Sequence, residues 1–196
     1  DLPALDSARK SLGGKDFQPL HELSGQEITD ARKAYFDVAV RRVPSGTRVV
    51  DATPLNVLSL PVIHRIFPDA CIIRLVRHPV ENVFLAFRKL NRVNAITCHT
   101  DSMSRCSQLF LAANAMGNHY RDTLEIPMYD LPYEDFKQAP NQFGKAITES
   151  LGHTWRDTHN DGGACPVDLW RRYDKQLAPW TDEIKAVAQS LGYPAK

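Results

Sequence analysis

The 196-residue sequence has almost no excess charge of either sign: 24 Lys and Arg stand against 23 Asp and Glu, a formal net charge of +1. No whole-protein field draws in nucleic acid or an anionic membrane, so neither is expected as a partner. Long apolar runs are missing as well. The longest, Ala70–Val76, is interrupted by Arg74 and is far too short to cross a bilayer. There are no repeats or biased tracts, which with 43% hydrophobic residues excludes collagen-like, coiled-coil and disordered chains. Cysteine is scarce: Cys71, Cys98, Cys106 and Cys165 are scattered without a C-x-x-C pair. A chain able to build its own core needs no disulfide framework, so the thiols read as reduced and the setting as cytoplasmic. Cys98, His99 and Cys106 fit no standard zinc spacing, and no metal is expected. The common Gly-rich phosphate and dinucleotide loops, H-E-x-x-H and G-x-S-x-G are all absent. The chain also opens at Asp1 without Met or a signal-like segment, and is expected to be a piece of something longer.

What is present alternates strand and helix. A short helix near the start meets Gly13-Gly14. Ser24-Gly25-Gln26-Glu27 then has the form of a capping box before an amphipathic helix over Glu27–Arg42, ended by Pro44-Ser45-Gly46. Arg48–Asp51 reads as a strand and Leu55–Phe67 as a helix despite Pro61. Ala70–Val76 reads as a strand covered on both faces, and Pro79 sits near the first position of a helix over Val80–Leu90. A long helix over about 101–121, a strand over Ile126–Leu131, a helix from Pro140 to Leu151, a polar loop over 153–165 and helical pieces at Leu169–Gln176 and Glu183–Leu191 follow. The expected class is α/β with a mainly parallel sheet flanked by helices, in one domain over residues 1–196.

Ligands of open α/β sheets bind beyond the carboxyl ends of the strands. Arg77 falls at such an end, just before a helix whose free N–H groups also favour an anion. It reads either as a phosphate grip, through its bidentate guanidinium, or as the partner of a carboxylate such as Asp51. Arg74, inside the strand, needs an ion-pair partner. Tyr133-Glu134-Asp135 reads as a helix cap, His78 as a packed histidine without an orienting partner, and Trp170-Arg171-Arg172-Tyr173 as part of an amphipathic helix.

Three blocks, Val49-Val50-Asp51-Ala52-Thr53-Pro54-Leu55-Asn56, Ile63-His64-Arg65-Ile66-Phe67-Pro68-Asp69-Ala70 and Arg74-Leu75-Val76-Arg77-His78-Pro79, resemble the bacterial sulfotransferases. These are similar to the tyrosylprotein sulfotransferases and often follow TPR repeats. Pro132-Tyr133-Glu134-Asp135-Phe136 resembles the family's R-Y-E-D-L block, and Leu169–Leu177 its W-R-R-Y-x-x-x-L ending. The resemblance implies a P-loop-like α/β fold and transfer of a sulfuryl group from 3′-phosphoadenosine-5′-phosphosulfate (PAPS) to a hydroxyl or amine. It implies that Arg77 binds the 3′-phosphate of PAPS or of adenosine 3′,5′-bisphosphate.

The departures from the family are specific. Its phosphosulfate loop, P-R-S-G-T-T on the first strand, and the Glu of its G-E-L segment would lie upstream of Asp1. The Lys of its D-K-T-P is here Ala52, and the Ser eight residues after the phosphate-gripping Arg is Leu85. Losing one charge-stabilising donor costs about 10²–10³-fold in rate. Acting alone, the chain is therefore expected not to turn over PAPS; a degenerate binding or assembly domain is the alternative. With the first strand missing, an open sheet edge is expected to pair with another molecule, in a homo-oligomer, or with the chain's own N-terminus.

Overall fold

A computed structural model describes residues 4–13, 19–39, 48–53, 55–89, 98, 100–156 and 167–194. Gly14, the Pro44-Ser45-Gly46 stop, Pro54, Leu90, His99, Cys165 and most of the polar loop lie outside the described residues. Contacts gather into two compact units, one of residues 1–72 and 113–128, the other of residues 73–112 and 129–196.

In the first unit, α1 (Ala4–Ser11) stops where Gly13 turns left-handed at φ +62°, a conformation open to glycine without a Cβ penalty. The capping box forms as expected ahead of α2 (Gly25–Ala39): the Glu27 N–H donates to Ser24 Oγ at 3.3 Å, and the Ser24 N–H donates to the Glu27 carboxylate at 3.0 Å. The two helices bury Leu5, Ala8, Ala31 and Tyr35 with Val62 and Ile66 of α3 (Leu60–Ile66). Full burial of a side chain the size of Ile66 contributes about 1.5–3 kcal/mol. Arg65 ties the preceding loop down, donating to the Leu20 and Leu23 carbonyls at 2.9 Å each.

Two expectations fail in this unit. Leu55–Phe67 is not one helix: a 3₁₀ turn (Asn56–Ser59) precedes α3, and Pro61 lies in the first turn of α3, where its missing N–H has no role in the ladder. Arg48–Asp51 forms no strand, and Val50 is 82% exposed. Asp51 instead accepts the Thr53 N–H at 3.0 Å and the Thr53 hydroxyl at 2.6 Å, a local turn that competes with an extended ladder. β-branched residues favour a pleat only where neighbours complete it.

The second unit holds most of β1 (Ile72–Val76) and β2 (Met128–Pro132), a two-stranded sheet. The Arg74 side chain meets Asp130 and the His78 backbone N–H meets the Glu134 side chain, both at a separation of 56 residues, so the strands run parallel. The connection carries α4 (Pro79–Arg88) and α5 (Met103–Thr123); α6 (Tyr133–Gln138), α7 (Pro140–Ser150), α8 (Asp174–Leu177) and α9 (Asp182–Ser190) follow β2. The class is α/β as expected, but the described residues are mostly helical and the sheet is small. β1 is covered on one face only: Arg74 pairs with Asp130 through two bonds of 2.8 and 2.7 Å, whereas Ile73 and Leu75 on the other face are 41% and 54% exposed. The core of this unit gathers Val80, Val83 and Phe84 of α4 with Met103, Cys106, Trp170, Leu177 and Ile184. Leu169–Tyr173 is a 3₁₀ turn rather than an amphipathic α-helix, and it sinks Trp170 into that core.

Candidate functional site

The apolar strand β1 ends at Val76, and Pro79 opens α4 at its first position, which leaves Arg77 and His78 as a fixed two-residue turn. The parallel register sets Glu134, at the start of α6, against this turn. Glu134 does not cap its own helix, contrary to expectation. One carboxylate oxygen accepts the N–H of His78, the N-cap residue of α4, at 3.0 Å, and the other accepts the Tyr193 hydroxyl at 2.7 Å. Gly192, left-handed at φ +84°, turns the chain after α9 into that contact. Beside it, the Arg77 guanidinium lies 4.3 Å over the centroid of the Tyr133 ring.

Glu81 occupies the α4 position from which a capping-box carboxylate reaches back to the N-cap N–H. Glu134 already holds that N–H, and Glu81 turns instead to the Leu169–Tyr173 segment, where it accepts the Trp170 N–H at 3.2 Å. It is 1% exposed, and its Oε1 has no hydrogen-bond partner among the described residues. The Trp170 ring stacks on His78 with centroids 4.8 Å apart, and Arg171 lies 4.8 Å from the Trp170 centroid. Tyr193 meets His78 edge-on at 5.0 Å.

Burial governs the proton affinities here. It pushes Glu81 above its ordinary value, while the Trp170 N–H and the Arg77 cation pull back. It lowers His78, with Arg171 adding to the effect and Glu134 opposing it. It raises Tyr193, and the bond to Glu134 raises it further. A buried histidine stacked on Trp170 serves packing, in line with the sequence reading.

Arg77 thus stands where the sequence analysis puts it, at a strand end beside the N-terminus of a ten-residue helix, a place suited to an anion. Asp51, its candidate partner, belongs to the first unit and accepts the Tyr35 hydroxyl at 3.3 Å as well as the two Thr53 donors. Leu85, half-buried on α4, and Ala52, exposed beside Asp51, offer no donor. The sequence reading missed Glu81 and Tyr193. A Glu three positions after an N-cap is a readable signal, although it points to an ordinary cap; Tyr193 has no local signal. No helix among the described residues is long and apolar enough to cross a membrane.

A family model described as Sulfotransferase family matches residues 14–157, well over half of the chain. Arg77, Glu81 and Glu134 fall inside the matched span; Trp170 and Tyr193 fall beyond it. No curated protein and no solved structure matches.

Proposed function

The chain belongs to the sulfotransferase family, and from that premise we propose that it is a nucleotide-binding domain of the P-loop-like sulfotransferase type in which Arg77 holds the 3′-phosphate of PAPS or adenosine 3′,5′-bisphosphate. The observation that carries this reading is the placement of Arg77, its guanidinium 4.3 Å over the Tyr133 ring centroid, at the carboxyl end of β1 and next to the first turn of α4. The donor chemistry fits a phosphate: a planar guanidinium matches two of its oxygens, and the helix terminus favours its charge. When bound, PAPS supplies the sulfuryl group; the chain's own part is to grip and orient the nucleotide.

We read the domain as catalytically silent on its own. Ala52 and Leu85 remove two donors at positions where the family pattern has Lys and Ser, and a methyl or isobutyl group cannot stabilise a transferring sulfuryl or a phosphate. These same two residues favour the second reading, a degenerate domain used for binding or assembly, in which the apolar face of β1 meets a second copy. Calorimetric titration with adenosine 3′,5′-bisphosphate tests the first reading. Binding should weaken about 10–100-fold in Arg77→Ala, the loss of a charged hydrogen-bond donor. Absence of heat with the wild-type chain would leave only the assembly role.

A further inference from the structure

The cluster around Glu81 contains more than packing requires. A carboxyl group 1% exposed is costly unless neutralised or fully paired, yet one of its oxygens has no partner among the described residues. His78 Nδ1 and Trp170 Nε1, in the same cluster, also lack partners among them. A buried carboxyl group left half-satisfied costs stability rather than adding to it, so Glu81 needs a reason other than stability.

Resting on the reading of Arg77 as a phosphate grip, we propose that Glu81 is a positioning residue that answers the charge at Arg77: when an anion fills the site, Glu81 takes up a proton and keeps the Leu169–Tyr173 segment docked on α4. The charges acting on Glu81 are few. Arg77, at the strand end, favours its ionised form. Asp168, ahead of Trp170, opposes that form but is itself paired with Arg171 at 3.0 Å. His78, at the same turn, is lowered in proton affinity by burial and by Arg171, and α9 brings the apolar Ile184 to the shared core. Arg77 is therefore the main cation supporting a Glu81 carboxylate. A phosphate bound to Arg77 cancels that support and adds negative charge of its own. The proton comes from solvent, and the neutral acid still accepts the Trp170 N–H through its carbonyl oxygen.

The sign follows by linkage. A group whose proton affinity rises on binding causes proton uptake, and affinity falls as pH rises through the window between the free and bound values. The phosphate's own titration is common to wild type and Glu81→Gln, so their comparison isolates Glu81. The experiment titrates the 196-residue chain with adenosine 3′,5′-bisphosphate from about pH 5 to about pH 8, in buffers of different ionisation enthalpy. The expected result is proton uptake in wild type that Glu81→Gln abolishes. The variant should also gain in relative affinity with pH, about tenfold for each unit that the nucleotide raises Glu81. Equal proton uptake and parallel pH profiles overturn the proposal and leave the Arg77 reading standing.

A ligand-free arm separates the two ideas. The Trp170 emission, isolated by Trp155→Phe and Trp180→Phe, should titrate with a midpoint that vanishes in Glu81→Gln. The midpoint should move up in Arg77→Ala and return in Arg77→Lys, which keeps the charge. If no nucleotide binds but the midpoint moves, the nucleotide reading falls and the charge coupling stands. A midpoint indifferent to Arg77 sinks the coupling whatever the nucleotide does.

Discussion

At the scale of single residues, one carboxylate has two duties. Glu134 receives the His78 N–H on one oxygen and the Tyr193 hydroxyl on the other. Tyr193→Phe removes one of these bonds while keeping the ring that meets His78 edge-on. A hydrogen bond to a charged acceptor contributes about 1.5–3 kcal/mol. Because Tyr193 is only half-buried, a loss near the lower end, about 1.5 kcal/mol, is expected in urea denaturation; an unchanged midpoint would show that water replaces the phenol. The neighbouring pair Glu81 and His78 makes a prediction about acid. Burial holds His78 below its ordinary value of 6.5, so its stabilising effect is present above that value and lost on acidification. Glu81 is held above its ordinary 4.5, so its effect is full at low pH and lost as pH rises through the folded-state value. The two oppose each other between the ordinary ranges. In Glu81→Gln the His78 effect stands alone, and the gain in stability from about pH 5 to about pH 7 should be larger than in wild type. An identical gain in both proteins counts against it.

At the scale of elements, periodicity and caps were readable, while pairing was not. The Ser24–Glu27 box and the Pro79 helix start rest on local rules, and each is found where expected. That Arg74 needs an ion-pair partner was readable, but not that the partner is Asp130, 56 residues on. Arg48–Asp51 shows the opposite. Its β-branched pair has strand propensity, yet a strand is a relation between segments, and the Asp51–Thr53 turn wins where no ladder competes. The same blindness hid Glu134 and Tyr193, whose meeting depends on the 56-residue register between strands and on the course of the chain after α9. Helix α7 carries a further contact of this kind. An added Cβ at Gly144 would overlap the Trp155 ring, whose Nε1 donates to Asn141 Oδ1 at 3.3 Å. Gly144→Ala brings about 0.8–1.0 kcal/mol of helix propensity, but overpacking costs about 1–3 kcal/mol. The clash should win, with net destabilisation and red-shifted Trp155 emission; a variant more stable than wild type would mean the indole moves aside freely.

At the scale of the whole molecule, two cores share one chain. One gathers α1, α2 and α3, the other α4, α9 and the Trp170 turn, and among the described residues no buried one belongs to both. Trp155, Trp170 and Trp180, all the tryptophans of the sequence, lie in the second unit. Indole fluorescence therefore reports on that unit alone, whereas far-UV circular dichroism reports on every helix. If the cores melt separately, the two urea transitions should not coincide; superimposable curves would establish a single cooperative unit. The Glu134 contact has a consequence in time as well as in space. It closes loops of 56 and 59 residues, and each closure must be met in entropy before its hydrogen bond forms. Contacts so distant in sequence are expected to form after the transition state of folding. Tyr193→Phe should then leave the refolding rate nearly unchanged and put its effect into faster unfolding, so that the Arg77 turn is the last part of its unit to take shape and the first to come undone.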